Sequence, residues 1–316
     1  DDFLSRSIAF APPLSIHLGM AGIAYAYYRI ACARGDGELL ARADLFSTRA
    51  LAAPFDAEAL PVEKTGITTP WHSRSGVWYV HALIAHARGD ARTRAHAVRE
   101  FTRVIAHDDG AHIDVVTGAS GALLAAAALR EIENDASLRA AGDALAARAF
   151  TNDAIGVAHG RAGMLYARMQ WSGGTLIDES IASAAIPSGR GSRWPWHHGQ
   201  SMPGWCNGSA GLVLYFARTG QNEFAEDAAW HAFDAADGNP SLCCGLTGRA
   251  YAMLEMHRLT DDERWLDRAH ILAQRAVVNA DRLERDSLFR GAAGLAVLLA
   301  DLDSPRDARF PLFDHH

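Results

Sequence analysis

Seven times along the chain a glycine or serine, two further residues and a glycine introduce an alanine-rich apolar run. The copies begin at Gly19, Ser73, Gly118, Gly160, Gly208, Gly245 and Gly291, and their closing glycines are Gly22, Gly76, Gly121, Gly163, Gly211, Gly248 and Gly294. The runs that follow are apolar on nearly every side, which predicts helices buried all round. The segments between them differ. Past Thr260 and Glu263, read as a capping box, Trp265, Leu266, Ala269, Leu272, Ala273 and Ala276 share one helical face, and Arg268, Gln274 and Arg275 take the other. That is a surface helix with one buried stripe. The stretches Val98 to Ile105 and Phe224 to Ala235 follow the same rule.

Alternating buried and amphipathic helices, repeated at this spacing, predict an all-α fold. Its natural closed form is an α/α toroid of seven inner and about seven outer helices, one domain over residues 1–316. The glycines then sit where inner helices begin, allowing close backbone approach and positive φ. All inner N-termini would share one rim, so the residues just before each glycine would converge there.

Those residues include His17, Trp71 and His72, Asp114, His159, Trp205, Cys206 and Asn207, and the adjacent pair Cys243 and Cys244. Three of four cysteines therefore occupy equivalent places. Thiolates are preferred zinc ligands, and a catalytic zinc site keeps three protein ligands and one open position. Iron–sulfur clusters generally need four cysteines. His159 and Asp114 are candidates for acid–base work; helix-start roles, backbone bonding for His159 and capping for Asp114, remain open alternatives. Cys32 lies inside an apolar helical run and reads as a small core residue. The glycine- and proline-bounded segment from Gly189 to Gly204 reads as a long rim loop, placing Arg193, His197 and His198 beside Trp194 and Trp196 where loops touch substrate.

Composition narrows the partners. The formal charge is −7, there is no basic block, and Lys64 is the sole lysine, which argues against nucleic acid. No apolar run reaches the roughly 18 residues of a membrane span. Two adjacent cysteines and an isolated one make a poor disulfide framework, so a reducing cytoplasm is expected. A toroidal glycosidase would need two opposed carboxylates, whereas Asp114 is the one clear carboxylate at the inferred mouth.

The repeats, the run Trp205, Cys206, Asn207, Gly208 and the run Cys243, Cys244, Gly245 together resemble the lanthionine synthetase C-like proteins, the cyclases or cyclase domains of lanthipeptide biosynthesis. The resemblance extends from Leu18 to Gly294. It implies a zinc ion held by Cys206, Cys243 and Cys244, an essential histidine at His159 within Ala158, His159, Gly160, and an aspartate at Asp114. Many members carry histidine where Cys244 stands, and a subgroup among larger synthetases carries Cys-Cys-Gly. Some members also have an arginine four residues before the first zinc cysteine and a tyrosine directly after it. This chain has Met202 and Asn207 there, leaving Arg193, His197, His198, His72 and Asn207 as substrate-contact candidates.

The implied reaction adds cysteine thiols of a dehydrated precursor peptide, bearing its leader, to dehydroalanine or dehydrobutyrine. A separate dehydrating domain or enzyme must supply that substrate. The chain opens on Asp1, consistent with the C-terminal part of a larger synthetase. Two other readings stand beside this one: addition of a small thiol such as glutathione, and a non-catalytic peptide-binding domain with structural zinc.

Overall fold

The computed structural model describes residues 14–53, 64–148, 152–196, 199–283 and 286–314. Two compact units divide the chain, one formed by residues up to 150 together with 284–297, the other by 151–283 together with 298–316.

In the first unit, three buried helices, α1 (Met20–Arg34), α3 (Arg74–Ala87) and α5 (Ala119–Ile132), each precede an amphipathic partner: α2 (Gly37–Ala52), α4 (Ala91–Ile105) and α6 (Ala136–Ala146). α3 packs on α1 and on α5, and each outer helix covers the inner helix before it. The second unit repeats the scheme. The buried helices α7 (Arg161–Ser172), α9 (Ser209–Thr219) and α11 (Leu246–Thr260) pack in that order. The amphipathic α10 (Asn222–Asp234) and α12 (Glu263–Val278) cover the last two. A final buried helix, α13, spans Ala292–Asp301. All seven expected inner helices are present.

The outer layer departs from expectation after α7. Instead of a full helix, a five-residue helix α8 (Glu179–Ser183) leads into an antiparallel hairpin, β1 (Ile186–Ser188) and β2 (Gly191–Arg193). The segment read as a free rim loop is thus partly a hairpin clamped on α10. Ser192 donates to Asp227 at 2.7 Å, Arg190 pairs with Asp234 and lies 3.7 Å from the Trp230 ring centroid, and buried Trp194 donates to the Ile181 carbonyl at 2.8 Å. Trp194 belongs to the core and not to a substrate surface.

Inner and outer helices begin by different chemistry. The outer helices α2, α4, α6, α8 and α12 are capped by the side chains of Asp36, Asp90, Asp135, Asp178 and Asp262. These carboxylates satisfy orphan N–H groups and complement the helix dipole. The cap of α12 is therefore Asp262; Thr260, expected in that role, ends α11 and bonds back to the Met256 carbonyl. The inner helices start on glycines with no side-chain cap. Their first N–H groups are met by backbone carbonyls seven residues earlier: Ala119 by His112, Arg161 by Ala154, Ser209 by Met202 and Leu246 by Asn239, all within 3.0 Å. The serine-led copy is the exception: the Ser73 hydroxyl caps α3 by accepting from the Ser75 N–H at 3.3 Å, and the Ser75 hydroxyl donates to the Thr68 carbonyl at 2.7 Å.

This folded-back turn explains the second glycine of each copy. A Cβ at Gly22, Gly76, Gly121, Gly211 or Gly248 would lie 1.9–2.2 Å from the carbonyl oxygen six residues earlier. Close approach is the reason for these glycines. Positive φ is not, because the leading glycines Gly19, Gly118, Gly160, Gly208 and Gly245 are all extended. The left-handed glycines Gly35, Gly173 and Gly220 instead end inner helices.

Cys32 also differs from expectation. It falls in the last turn of α1 on the exposed side, where the helix passes out of the core.

Candidate metal centre

The second unit brings three of its folded-back turns into direct contact. Cys206 closes the turn before α9, and Cys243 with Cys244 the turn before α11. The N–H groups of Trp205 and Cys206 both donate to the Cys243 carbonyl, at 3.0 and 3.3 Å. A Cβ at Gly204 would meet the Cys244 backbone at 2.7 Å, so these turns lie flush. The turn before α7, which carries His159, is bound on the other side: the Ala158 N–H donates to the Cys206 carbonyl at 2.6 Å. His159 is half-buried. Its own carbonyl accepts from Asn152 at 2.9 Å, and Arg161 holds the Asn152 carbonyl at 2.9 Å while pairing with Asp178. Asn152 and Arg161 lie outside the repeat pattern and carried no sequence signal as supports of this turn.

The three cysteine sulfurs lie within 4.8 Å of one another. Cys206 Sγ stands 3.1 Å from Cys244 Sγ, which is 3.4 Å from Cys243 Sγ. These separations far exceed the ~2.05 Å of a disulfide, so the three side chains are thiols. Both separations lie a little below the roughly 3.8 Å spacing of sulfurs that share a tetrahedral zinc at about 2.3 Å, within reach of a small outward shift of the side chains. The electrostatics agree. For Cys206 the hydrogen bond with Cys243 favours thiolate, but the bond with Cys244 and burial outweigh it, and the thiol is pushed up to about 12. Hydrogen bonds with Cys206 and Cys244, then burial, push Cys243 well above the usual thiol range. Three thiols crowded together, Cys206 buried and the other two half-buried, cannot ionise cheaply by themselves, and a dication supplies the missing compensation. The donor set therefore fits a soft or borderline divalent metal.

The remaining expected site residues fall in several places. Asn207 is 9% exposed, follows Cys206, and lies against Gly156, whose added Cβ would meet Asn207 Oδ1 at 2.9 Å. Arg193, on β2, reaches the Gly199 carbonyl and Ser201 at 3.4–3.5 Å. His197 and His198 lie outside the described residues. Asp114 and His72 belong to the first unit. Asp114 accepts from the Thr117 N–H at 2.5 Å and from its hydroxyl at 2.9 Å, bracing the turn before α5. His72 is buried and meets His17, Nε2 to Nδ1 at 3.3 Å, with the rings 4.9 Å apart and Phe289 beside them.

Sequence reasoning found the cysteines and missed what stands behind them. Trp205 is fully buried and stacks on Phe310, centroids 4.6 Å apart and 14° from parallel, with Phe313 edge-on at 5.5 Å. Aromatic residues in a non-helical segment after the last repeat have no period that would mark them.

A helical protein whose inner-helix turns gather a thiol trio defines a narrow class. The sequence profile of the lanthionine synthetase C-like proteins matches residues 12–314, and the chain belongs to that family. The matched region runs through both units. Nisin cyclase superimposes with a TM-score of 0.63 over 94% of this chain and 90% of its own, at 14% identity, which establishes the fold class as the α/α toroid. Two curated relatives are similar in sequence. The zebrafish (Danio rerio) glutathione S-transferase LANCL1 is 30% identical over 190 residues, 52% of this chain and 47% of the relative. The Arabidopsis thaliana LanC-like protein GCL1 is 29% identical over 190 residues, 50% of this chain and 43% of the relative. The matches thus span a little under half the length of these relatives. Among the described residues, no helix is long and apolar enough to cross a membrane.

Proposed function

We propose that this chain is a zinc-dependent lanthipeptide cyclase, forming lanthionine and methyllanthionine thioethers in a dehydrated precursor peptide. The observation that carries the reading is the trio of thiols gathered at adjoining inner-helix turns, with the His159 turn bonded directly to Cys206. Cys206, Cys243 and Cys244 would hold the metal and leave one position for substrate. When bound, zinc lowers the pKa of a substrate cysteine thiol so that thiolate exists at neutral pH.

The bond changes are simple. The thiolate sulfur forms a bond to the alkene β-carbon, the carbon–carbon π bond breaks, and its electron pair moves to the α-carbon and adjoining carbonyl. His159, acting as the imidazolium, then gives the proton that completes the α-carbon and is reprotonated from solvent. Asp114 is assigned an assisting role, accepting the proton of the incoming thiol. Arg193, Asn207, His72, His197 and His198 are assigned to the peptide substrate. A dehydrating domain or enzyme acts beforehand, and a reducing cytoplasm keeps the trio and the substrate thiols free.

Three thiolate donors make the site one charge more negative than two thiolates and a histidine. That charge strengthens the nucleophile. Cys244→His should retain the metal and slow cyclisation; an undiminished rate would refute the charge argument.

The zebrafish relative's name favours a second reading, addition of glutathione to dehydrated residues. One experiment separates them. A dehydrated peptide with its own cysteines, and the same peptide with those cysteines replaced by alanine plus free glutathione, are incubated with the zinc-loaded protein. Mass spectrometry after thiol alkylation should show ring formation in the first and no adduct in the second. Adducts without rings would reverse the assignment, and neither product would leave a peptide-binding domain with structural zinc.

A further inference from the structure

The segment that follows α13 reaches every helix of the candidate site. Phe310 stacks on the indole of Trp205, the residue before Cys206, and Phe313 meets it edge-on. Phe310 also meets Tyr251 of α11 edge-on at 5.4 Å, and Phe313 stacks on Tyr166 of α7 at 4.2 Å. Asp314, 3% exposed, closes the arrangement. It accepts from the Tyr166 hydroxyl at 2.9 Å and from Arg258 of α11 at 3.1 Å.

These contacts have a common address. α7 begins at the His159 turn, α9 at the Cys206 turn and α11 at the Cys243–Cys244 turn. Among the described residues, no helix or strand forms in the segment itself. Leu312 sits inside it at φ +66°, a left-handed conformation that a branched side chain adopts only when its surroundings enforce it. It is nonetheless buried. Phe310 on one side of it and Phe313 and Asp314 on the other hold the segment between α7, α11 and Trp205.

We infer that Phe310 is a positioning residue for the thiol trio, fixing Cys206 against Cys243 and Cys244 through Trp205 and Tyr251, and that Asp314 anchors the segment that carries it to Tyr166 and Arg258. The inference rests on reading the trio as a metal centre, and deepens it by naming what holds the ligands from behind. Such outer supports of metal ligands commonly govern affinity about as strongly as 10- to 100-fold.

The test uses Phe310→Leu and the near-isosteric Asp314→Asn, with Phe101→Leu in α4 as a control for general loss of core packing. Two probes are titrated into each reduced protein: Co2+, followed by its thiolate charge-transfer absorption, and arsenite, which binds three thiols without any need for a metal centre. Thermal melting is recorded alongside. Both site variants should bind each probe about tenfold or more weakly, while the control binds as wild type despite a lowered melting temperature. Wild-type arsenite affinity in both Phe310→Leu and Asp314→Asn would overturn the proposal, whether or not cobalt is taken up. A wild type that binds arsenite but no cobalt would instead sink the metal reading and leave the positioning role to be judged on the arsenite series.

Discussion

The same folded-back turn carries opposite chemistry in the two units. Before α1, α3 and α5, the polar side chains at the turn are matched to near neighbours: His17 to His72, Asp114 to Thr117. Before α9 and α11, the corresponding positions hold three thiols that meet each other, and mutual proximity raises the cost of ionising them. A scaffold that repeats its backbone geometry has no reason to repeat its electrostatics. Unfavourable crowding of like groups is where a ligand gains most, because binding removes a penalty already present in the fold.

Five substitutions probe this contrast. The largest effect is expected from Cys206→Ala, which removes one of three metal ligands: cyclisation should fall by at least about a hundredfold, measured as rings formed per protein, with the helical circular dichroism unchanged. Next come Gly121→Ala and Gly211→Ala, one in each unit. Their methyl groups would lie 2.0 and 2.2 Å from backbone carbonyls, so each should destabilise by more than about 4 kcal/mol in chemical denaturation. Only Gly211→Ala, in the first turn of the helix after Cys206, should also weaken metal binding.

A pH effect follows. Glu255 on α11 is buried beside Arg258 and Asp314, and desolvation, partly offset by Arg258, pushes its carboxyl up to about 7. Because the folded state holds this proton more tightly, its contribution to stability is complete below about pH 4.5 and is lost as pH rises through about 7. Glu255→Gln should remove that loss, by up to about 3 kcal/mol, flattening the denaturation midpoint between pH 5 and 8. The smallest effect belongs to His72→Phe in the first unit. It should cost about 1–2 kcal/mol of stability and leave zinc content unaltered; a drop in zinc would erase the distinction between the two sets of turns.

The inner helices were legible because two glycines per copy answer a steric demand that nothing else can meet. The carbonyl six residues earlier leaves no room for a Cβ, and Gly22, Gly121, Gly211 and Gly248 record that demand directly. The thiol trio was legible because Cys206 and Cys243–Cys244 occupy equivalent turns. The hairpin Ile186–Arg193 was not, since a two-stranded ribbon of three residues each has too little alternation to register. Nor was the support of the trio. Trp205 is far from Phe310 in sequence and meets it only through tertiary packing, and a carboxylate such as Asp314 gives no sign in sequence that it will be 3% exposed.

The most direct test of the account is the zinc content of the reduced protein purified without added metal, set against that of Cys206→Ala. The account predicts about one zinc per chain in the wild type and almost none in the variant. A wild type that is free of zinc and takes none up from micromolar solution would contradict it.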